Sequence, residues 1–157
     1  MKSNKAFFLV AALALGLTSC SWSWSWNRHQ IVQDVTPGSW SAAQPAIVLY
    51  ENRDTVFEQS LTALVRFRND FDFDRLDFVL ETLTPDSLVW RDTLSVAYPP
   101  EAKEKKATSL TYTDAEVVYR TGVVLNRPGL YRFRFTPLMP ETPVDAVIGV
   151  GIGITTP

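Results

Sequence analysis

In Leu61-Thr62-Ala63-Leu64-Val65-Arg66-Phe67-Arg68, the residues Leu61, Ala63, Val65 and Phe67 fall on one side and Arg66 and Arg68 on the other. A pleated strand sends successive side chains to opposite faces, so this alternation predicts a strand with one face buried. Leu76, Phe78 and Leu80 repeat the pattern, as do Leu88, Trp90, Leu94 and Val96, with Asp92 as a polar interruption. Val117, Tyr119, Thr121 and Val123 form another row, and Tyr131, Phe133 and Phe135 a further one backed by Arg132 and Arg134. Residues 147–154 put Ile148, Val150, Ile152 and Ile154 on one face and Gly149, Gly151 and Gly153 on the other.

Asn69-Asp70, Thr84-Pro85-Asp86, Pro99-Pro100 and Asn126-Arg127-Pro128-Gly129 punctuate these runs as turns. No window after the first twenty residues carries an apolar stripe at helical spacing. Residues 100–107 favour helix by composition but lack an apolar face, and read as an exposed loop with at most a turn or two of helix. With a first strand near 46–51, about seven to eight short strands predict an all-β fold, an antiparallel β-sandwich of immunoglobulin-like or jelly-roll-like kind.

The N-terminus follows a different rule. Lys2 and Lys5 precede an unbroken small and apolar run from Ala6 to Leu17, the charged and hydrophobic regions of an export signal. The run is too short to span a bilayer as a mature helix. It ends in Leu17-Thr18-Ser19-Cys20, the pattern of a bacterial lipobox, in which the cysteine is lipidated and becomes the new N-terminus. An ordinary signal peptide that leaves Cys20 as a stray thiol is the plainer alternative. Lipoproteins carry two or three acyl chains, each gaining about 0.8 kcal/mol per buried methylene, so such an anchor holds where one chain would be marginal.

Expected organisation is therefore a signal peptide at 1–19, a lipidated Cys20 with a flexible tether through residue 44, and the sandwich at 45–157. The tether opens with Ser21-Trp22-Ser23-Trp24-Ser25-Trp26. Indole rings suit the headgroup level of a bilayer, so Trp22, Trp24 and Trp26 are candidates for membrane-interface contact. A composition-biased tether without docking, or a strand added to a partner, would give the same letters. Thr36-Pro37-Gly38-Ser39 reads as a turn, and the linker boundary is placed by Pro45.

Composition narrows the chemistry. With 157 residues, 46% of them apolar, the chain is large enough for one well-filled core. Fifteen Lys and Arg face seventeen Asp and Glu, which lacks the basic excess that nucleic-acid binding demands. One Cys and one His exclude a His/Cys metal cluster within the chain, and His29 lies in the expected tether, where a Ser-His-Asp site would have no rigid frame. Asp70, Asp72, Asp74 and Glu81 imitate a calcium loop, but Arg75 stands where the sharp turn needs Gly. The Gly149-Val150-Gly151-Ile152-Gly153 run has no helix after it to hold a phosphate, and predicts instead a strand whose bare face admits a neighbour's rings. No catalytic residue, metal site or cofactor is therefore expected beyond the covalent lipid on Cys20.

The remaining candidate surface is arginine. Arg66, Arg68, Arg120, Arg132 and Arg134 all fall on the outward parity of their strands, and on neighbouring strands they would form a basic stripe for an anionic partner. Balance by cross-strand Asp and Glu is the plainer outcome.

The order of the lipobox Cys20, Val65-Arg66-Phe67-Arg68-Asn69, Asp92-Thr93-Leu94, Gly129-Leu130-Tyr131-Arg132-Phe133, Met139 and a glycine-alternating last strand resembles the gliding-motility lipoprotein family GldH of Bacteroidota. The chain departs from that family at Met139-Pro140, where the family has Met-Arg, and in lacking a W-x-G segment within 99–109. The resemblance implies a non-catalytic envelope lipoprotein that supports gliding motility beside other motility lipoproteins, near the type IX secretion machinery. Ser21 after the cysteine, by analogy with enteric sorting rules, points to the outer membrane, and the lack of an acidic cluster there to its periplasmic leaflet. A surface-exposed glycan- or ligand-binding module is the rival, and predicts exposed aromatics on one face; the candidates Phe71, Phe73, Trp90 and Tyr98 are spread among core and turn positions and do not decide it.

Overall fold

The alternating runs pair into two antiparallel sheets in a computed structural model that describes residues 27–101, 103–140 and 142–156. The signal segment, Cys20, Trp22, Trp24 and Trp26 lie outside the described residues. Nine strands follow in order: β1 Asn27–Asp34, β2 Ala46–Asn52, β3 Glu58–Arg68, β4 Arg75–Leu83, β5 Val89–Ala97, β6 Lys105–Thr108, β7 Tyr112–Val124, β8 Gly129–Pro137 and β9 Val147–Thr156. One sheet runs β1-β9-β3-β7-β6 and the other β2-β8-β4-β5. The predicted all-β sandwich is thus the observed fold.

The core lies between the sheets and is made by the predicted faces. Leu61, Ala63, Val65 and Phe67 meet Leu76, Phe78, Leu80, Tyr131, Phe133 and Phe135 from the opposing sheet. Burying a side chain of this size contributes about 1.5–3 kcal/mol. Phe78 and Phe135 stack with centroids 5.7 Å apart. At one end, Phe67, Phe71, Phe73 and Tyr98 close the core, with ring centroids 4.9 Å apart for Phe67–Phe71 and 5.2 Å for Phe71–Tyr98. The acidic turn after β3 is therefore also an aromatic plug.

Two elements differ from expectation. The sandwich begins well before residue 45: β1 pairs with β9 along its whole length, from Asn27 opposite Thr156 to Asp34 opposite Gly149. Trp40, expected in the tether, is 1% exposed and donates its Nε1–H to the carbonyl of Phe135 at 3.1 Å. β1 escaped the pattern because, among its described side chains, Ile31 is the one hydrophobic residue packed on the core, as suits an edge strand. Residues 105–108, expected to be loop or a short helix, form edge strand β6 on β7.

Bulges shift the parity of two strands. Arg66 pairs with Gly149 but Phe67 with Val147, so Ile148 is the extra residue and Val147 takes the core position predicted for it. On β7, Leu61 opposes Arg120 while Thr62 opposes Val118, so Tyr119 is extra and both Tyr119 and Arg120 turn inward.

The strand directions gather particular loops at each end. Near Asn27 and Thr156 lie the β2–β3 loop, the β4–β5 turn and the β7–β8 connection. The β1–β2, β3–β4, β5–β6, β6–β7 and β8–β9 connections lie at the other end.

Candidate interaction surfaces

The five arginines do not form one stripe. Arg66, Arg68 and Arg120 belong to the five-stranded sheet, Arg132 and Arg134 to the other, so the core separates the two groups. Arg66 sits on β3 opposite Asp114 of β7 and grips it with two hydrogen bonds of 2.7 and 2.8 Å. Its guanidinium also lies 4.3 Å from the Tyr112 ring centroid. The hydrogen bond to Asp114 raises its pKa further. Arg68 is held by Asp70 across the start of the β3–β4 connection, at 2.5 Å.

Arg120 is a correction. Parity predicts an outward side chain, but the bulge at Tyr119 turns it between the sheets, where it reaches Asp92 of β5. Its guanidinium lies 5.3 Å from both the Trp90 and Tyr119 ring centroids, and the Tyr119 hydroxyl meets Thr82 Oγ1 at 2.9 Å. Burial opposes the charge on Arg120, and the hydrogen bonds to Tyr119 and Asp92 outweigh it, so its pKa rises. Asp92, the odd polar residue on an otherwise apolar inner face, is explained by this partner. An inward charge also marks β5 as an edge that resists pairing with another chain.

Arg132 and Arg134 stay outward, in different company. The register sets Ile47, Arg134, Glu81 and Arg91 in one row across β2, β8, β4 and β5, and Leu49, Arg132, Leu83 and Val89 in the next. Glu81 serves two arginines, Arg134 at 3.3 Å and Arg91 at 3.5 Å. Arg132, walled by apolar neighbours, makes no ion pair among the described residues. Ile47, Arg134 and Glu81 of the first row and Arg132, Leu83 and Val89 of the second line a shallow depression of about 180 Å³, with Ile47 and Val89 exposed. This face thus combines exposed aliphatic area with cationic charge in excess of Glu81, the composition of a docking surface for an acidic partner. The sequence points to Arg132 and Arg134 but not to Arg91, Ile47, Leu49 and Leu83, whose relevance depends on strand order.

On the opposite sheet, the nearest described neighbours of Gly149 and Gly151 include no aromatic ring. Gly151 lies under Val32, and a Cβ there would come within 2.5 Å of the Ile31 carbonyl oxygen; one at Gly149 would meet Arg66 Cβ at 3.5 Å. The bare strip at Gly149 and Gly151 lets β1 close onto β9. Among the described residues there is no cluster of three or more His, Cys, Asp or Glu placed to hold a metal ion, and no helix long and apolar enough to cross a membrane. The carboxylates at 70, 72 and 74 lie on the β3–β4 turn, with Asp70 engaged by Arg68.

Residues 28–154 match the model of the GldH lipoprotein family, and the chain belongs to that family. Membership makes it a lipid-anchored protein of the cell envelope. No curated protein matches the chain. Among solved structures, the enzymatically active domain of tailspike protein 4 from bacteriophage CBA120 aligns with 84% of this chain at 9% identity and a TM-score of 0.33; the chain spans 19% of that domain's length. The coat protein of Tobacco streak virus aligns with 83% of this chain and 88% of its own at 14% identity and a TM-score of 0.29. Likenesses this distant bear on neither fold nor function.

Proposed function

We propose that this protein is a non-catalytic scaffold of the GldH type, held by lipid on Cys20 and supporting gliding motility and the associated type IX secretion machinery through protein contacts. The observation that carries the contact surface is Arg132, an exposed guanidinium set among Leu49, Leu83 and Val89 with no carboxylate partner among the described residues. An acidic, partly apolar partner surface would complete both its charge and its apolar surround. Confinement to a membrane raises the effective concentration of such a partner, so a small contact suffices. The proposed location is the outer membrane, facing the periplasm, with Trp22, Trp24 and Trp26 at the headgroup level beside the anchor, and neighbouring envelope or motility lipoproteins as partners. No cofactor other than the lipid is needed.

The rival glycan-binding reading calls for exposed aromatics on one face. Phe71 is buried, and Phe73, Trp90 and Tyr98 are partly buried and packed against the core, so these four rings do not form an exposed platform. Affinity isolation of the tagged protein from solubilised native membranes tests the proposal, with Cys20→Ala and Arg132→Glu as comparisons. Recovery of envelope lipoproteins that falls in both variants supports it; their absence from the unaltered protein, with retention on a glycan matrix, overturns it.

A further inference from the structure

The end of the sandwich where Asn27 begins β1 carries exposed apolar side chains on two separate loops. Val56 and Phe57, at the tip of the β2–β3 loop, are 75% and 64% exposed, and Leu88, ending the β4–β5 turn, is 58% exposed. Val89 and Leu130 continue the exposed apolar surface from there onto the four-stranded sheet. Phe57 is the one aromatic among the large exposed apolar residues described.

These tips are built rather than loose. Asp54 Oδ1 accepts the backbone N–H groups of Val56 at 3.1 Å and Phe57 at 3.2 Å, so the tip presents its side chains while its own donors are satisfied. Asn52, 1% exposed, fixes the base of that loop by donating to the carbonyls of Leu125 at 2.7 Å and Arg127 at 3.1 Å. Thr84 Oγ1 accepts the N–H of Leu88 at 3.0 Å, and Arg127 pairs with Asp86 at 3.1 Å, tying the second tip to the same β7–β8 connection. An apolar tip whose backbone donors are already bonded enters a low-dielectric interface without the cost of stripping water from free N–H groups.

What faces this end follows from chain length. Six residues lie between Cys20 and Asn27, and the seven Cα-to-Cα steps reach at most about 25 Å when fully extended. A lipid on Cys20 therefore keeps this end, and not the opposite one, beside the bilayer. We propose that the lipid bilayer is the occupant of this surface, with Val56, Phe57 and Leu88 entering the interface and the strands standing away from the membrane. The inference rests on the lipid-anchor reading of Cys20. It also turns the outer face around Arg132 sideways, towards other proteins on the same membrane.

The test uses the full lipidated protein reconstituted in phosphatidylethanolamine–phosphatidylglycerol vesicles containing nitroxide-labelled lipid. A polarity-sensitive fluorophore is placed by Phe57→Cys, by Leu88→Cys, and at the far end by Leu110→Cys, a site 99% exposed in the β6–β7 turn. Vesicle flotation reports the anchor separately. The expected result is flotation of all three, with quenching at 57 and 88 at least threefold greater than at 110. Flotation with equal quenching at all three sites overturns the docking while leaving the anchor intact. Failure to float overturns the anchor, and the docking with it.

Discussion

Arg120 on β7 and Asp92 on β5 join the two sheets across the edge of the core, with Trp90 and Tyr119 against the guanidinium. Each side chain keeps a third or more of its surface in solvent, so the pair contributes modestly, and the greater cost lies in separating the partners. Asp92→Ala is expected to lower the unfolding free energy by about 1–2 kcal/mol, because Arg120 loses its carboxylate while its Nε already lacks an acceptor. Arg120→Lys is expected to fare little better than alanine, since an ammonium reproduces neither the fork nor the ring contacts. Denaturant unfolding of both single variants and the double variant checks this.

Gly151 and Gly149 separate backbone clearance from ordinary packing. Gly151→Ala drives a Cβ against the Ile31 carbonyl of β1 and is expected to cost about 1–3 kcal/mol, with amide protection lost first in β1. Gly149→Ala meets only ordinary contacts of 3.5 Å or more, to the Arg66 and Val32 side chains and the Gln33 carbonyl oxygen, and is expected to cost less than half as much. Hydrogen exchange resolved by residue distinguishes the two.

Trp40 decides where the folded domain starts. Trp40→Ala is expected to destabilise the protein by about 3–5 kcal/mol, since it empties a buried indole site and leaves the Phe135 carbonyl without that donor. A mere linker residue would change stability by less than about 0.5 kcal/mol. Chemical denaturation of the two proteins under one condition suffices.

Asp86 links stability to acid. The Thr84 hydroxyl first, and then Arg127, hold its carboxyl below the usual value of 3.8. A group whose folded pKa is depressed gives its stabilisation in full above its unfolded pKa and loses it as pH falls through the folded value. Asp86→Asn is therefore expected to flatten the pH dependence below about pH 4 and to leave the neutral-to-alkaline slope unchanged. Stability measured from pH 2 to 8 on both proteins tests the sign.

The strand faces were legible wherever alternation ran unbroken, as in Leu61 to Phe67 and Tyr131 to Phe135, because a slip of one residue would expose the whole apolar row. Arg120 and Ile148 were misplaced for one reason: a bulge adds a residue that alternation counts but the ladder does not pair. β1 was missed because an edge strand with one core contact has almost no apolar signature, and Trp40 because a loop residue can be buried without any period. The arginine surface was half visible. Parity placed Arg132 and Arg134 outside, but only strand order could set Leu49 and Leu83 beside Arg132 and send Arg66 to Asp114 on the opposite sheet.

The most direct test of the scaffold account is site-specific photocrosslinking in native membranes from Leu49, beside Arg132, and from Val118 on the outer face of the other sheet. The two sites are 50% and 59% exposed, so accessibility does not separate them. The account predicts a discrete crosslinked partner from Leu49, diminished at least fivefold by Arg132→Glu, and none from Val118. Equal crosslinking from both faces, or none from Leu49, would contradict it.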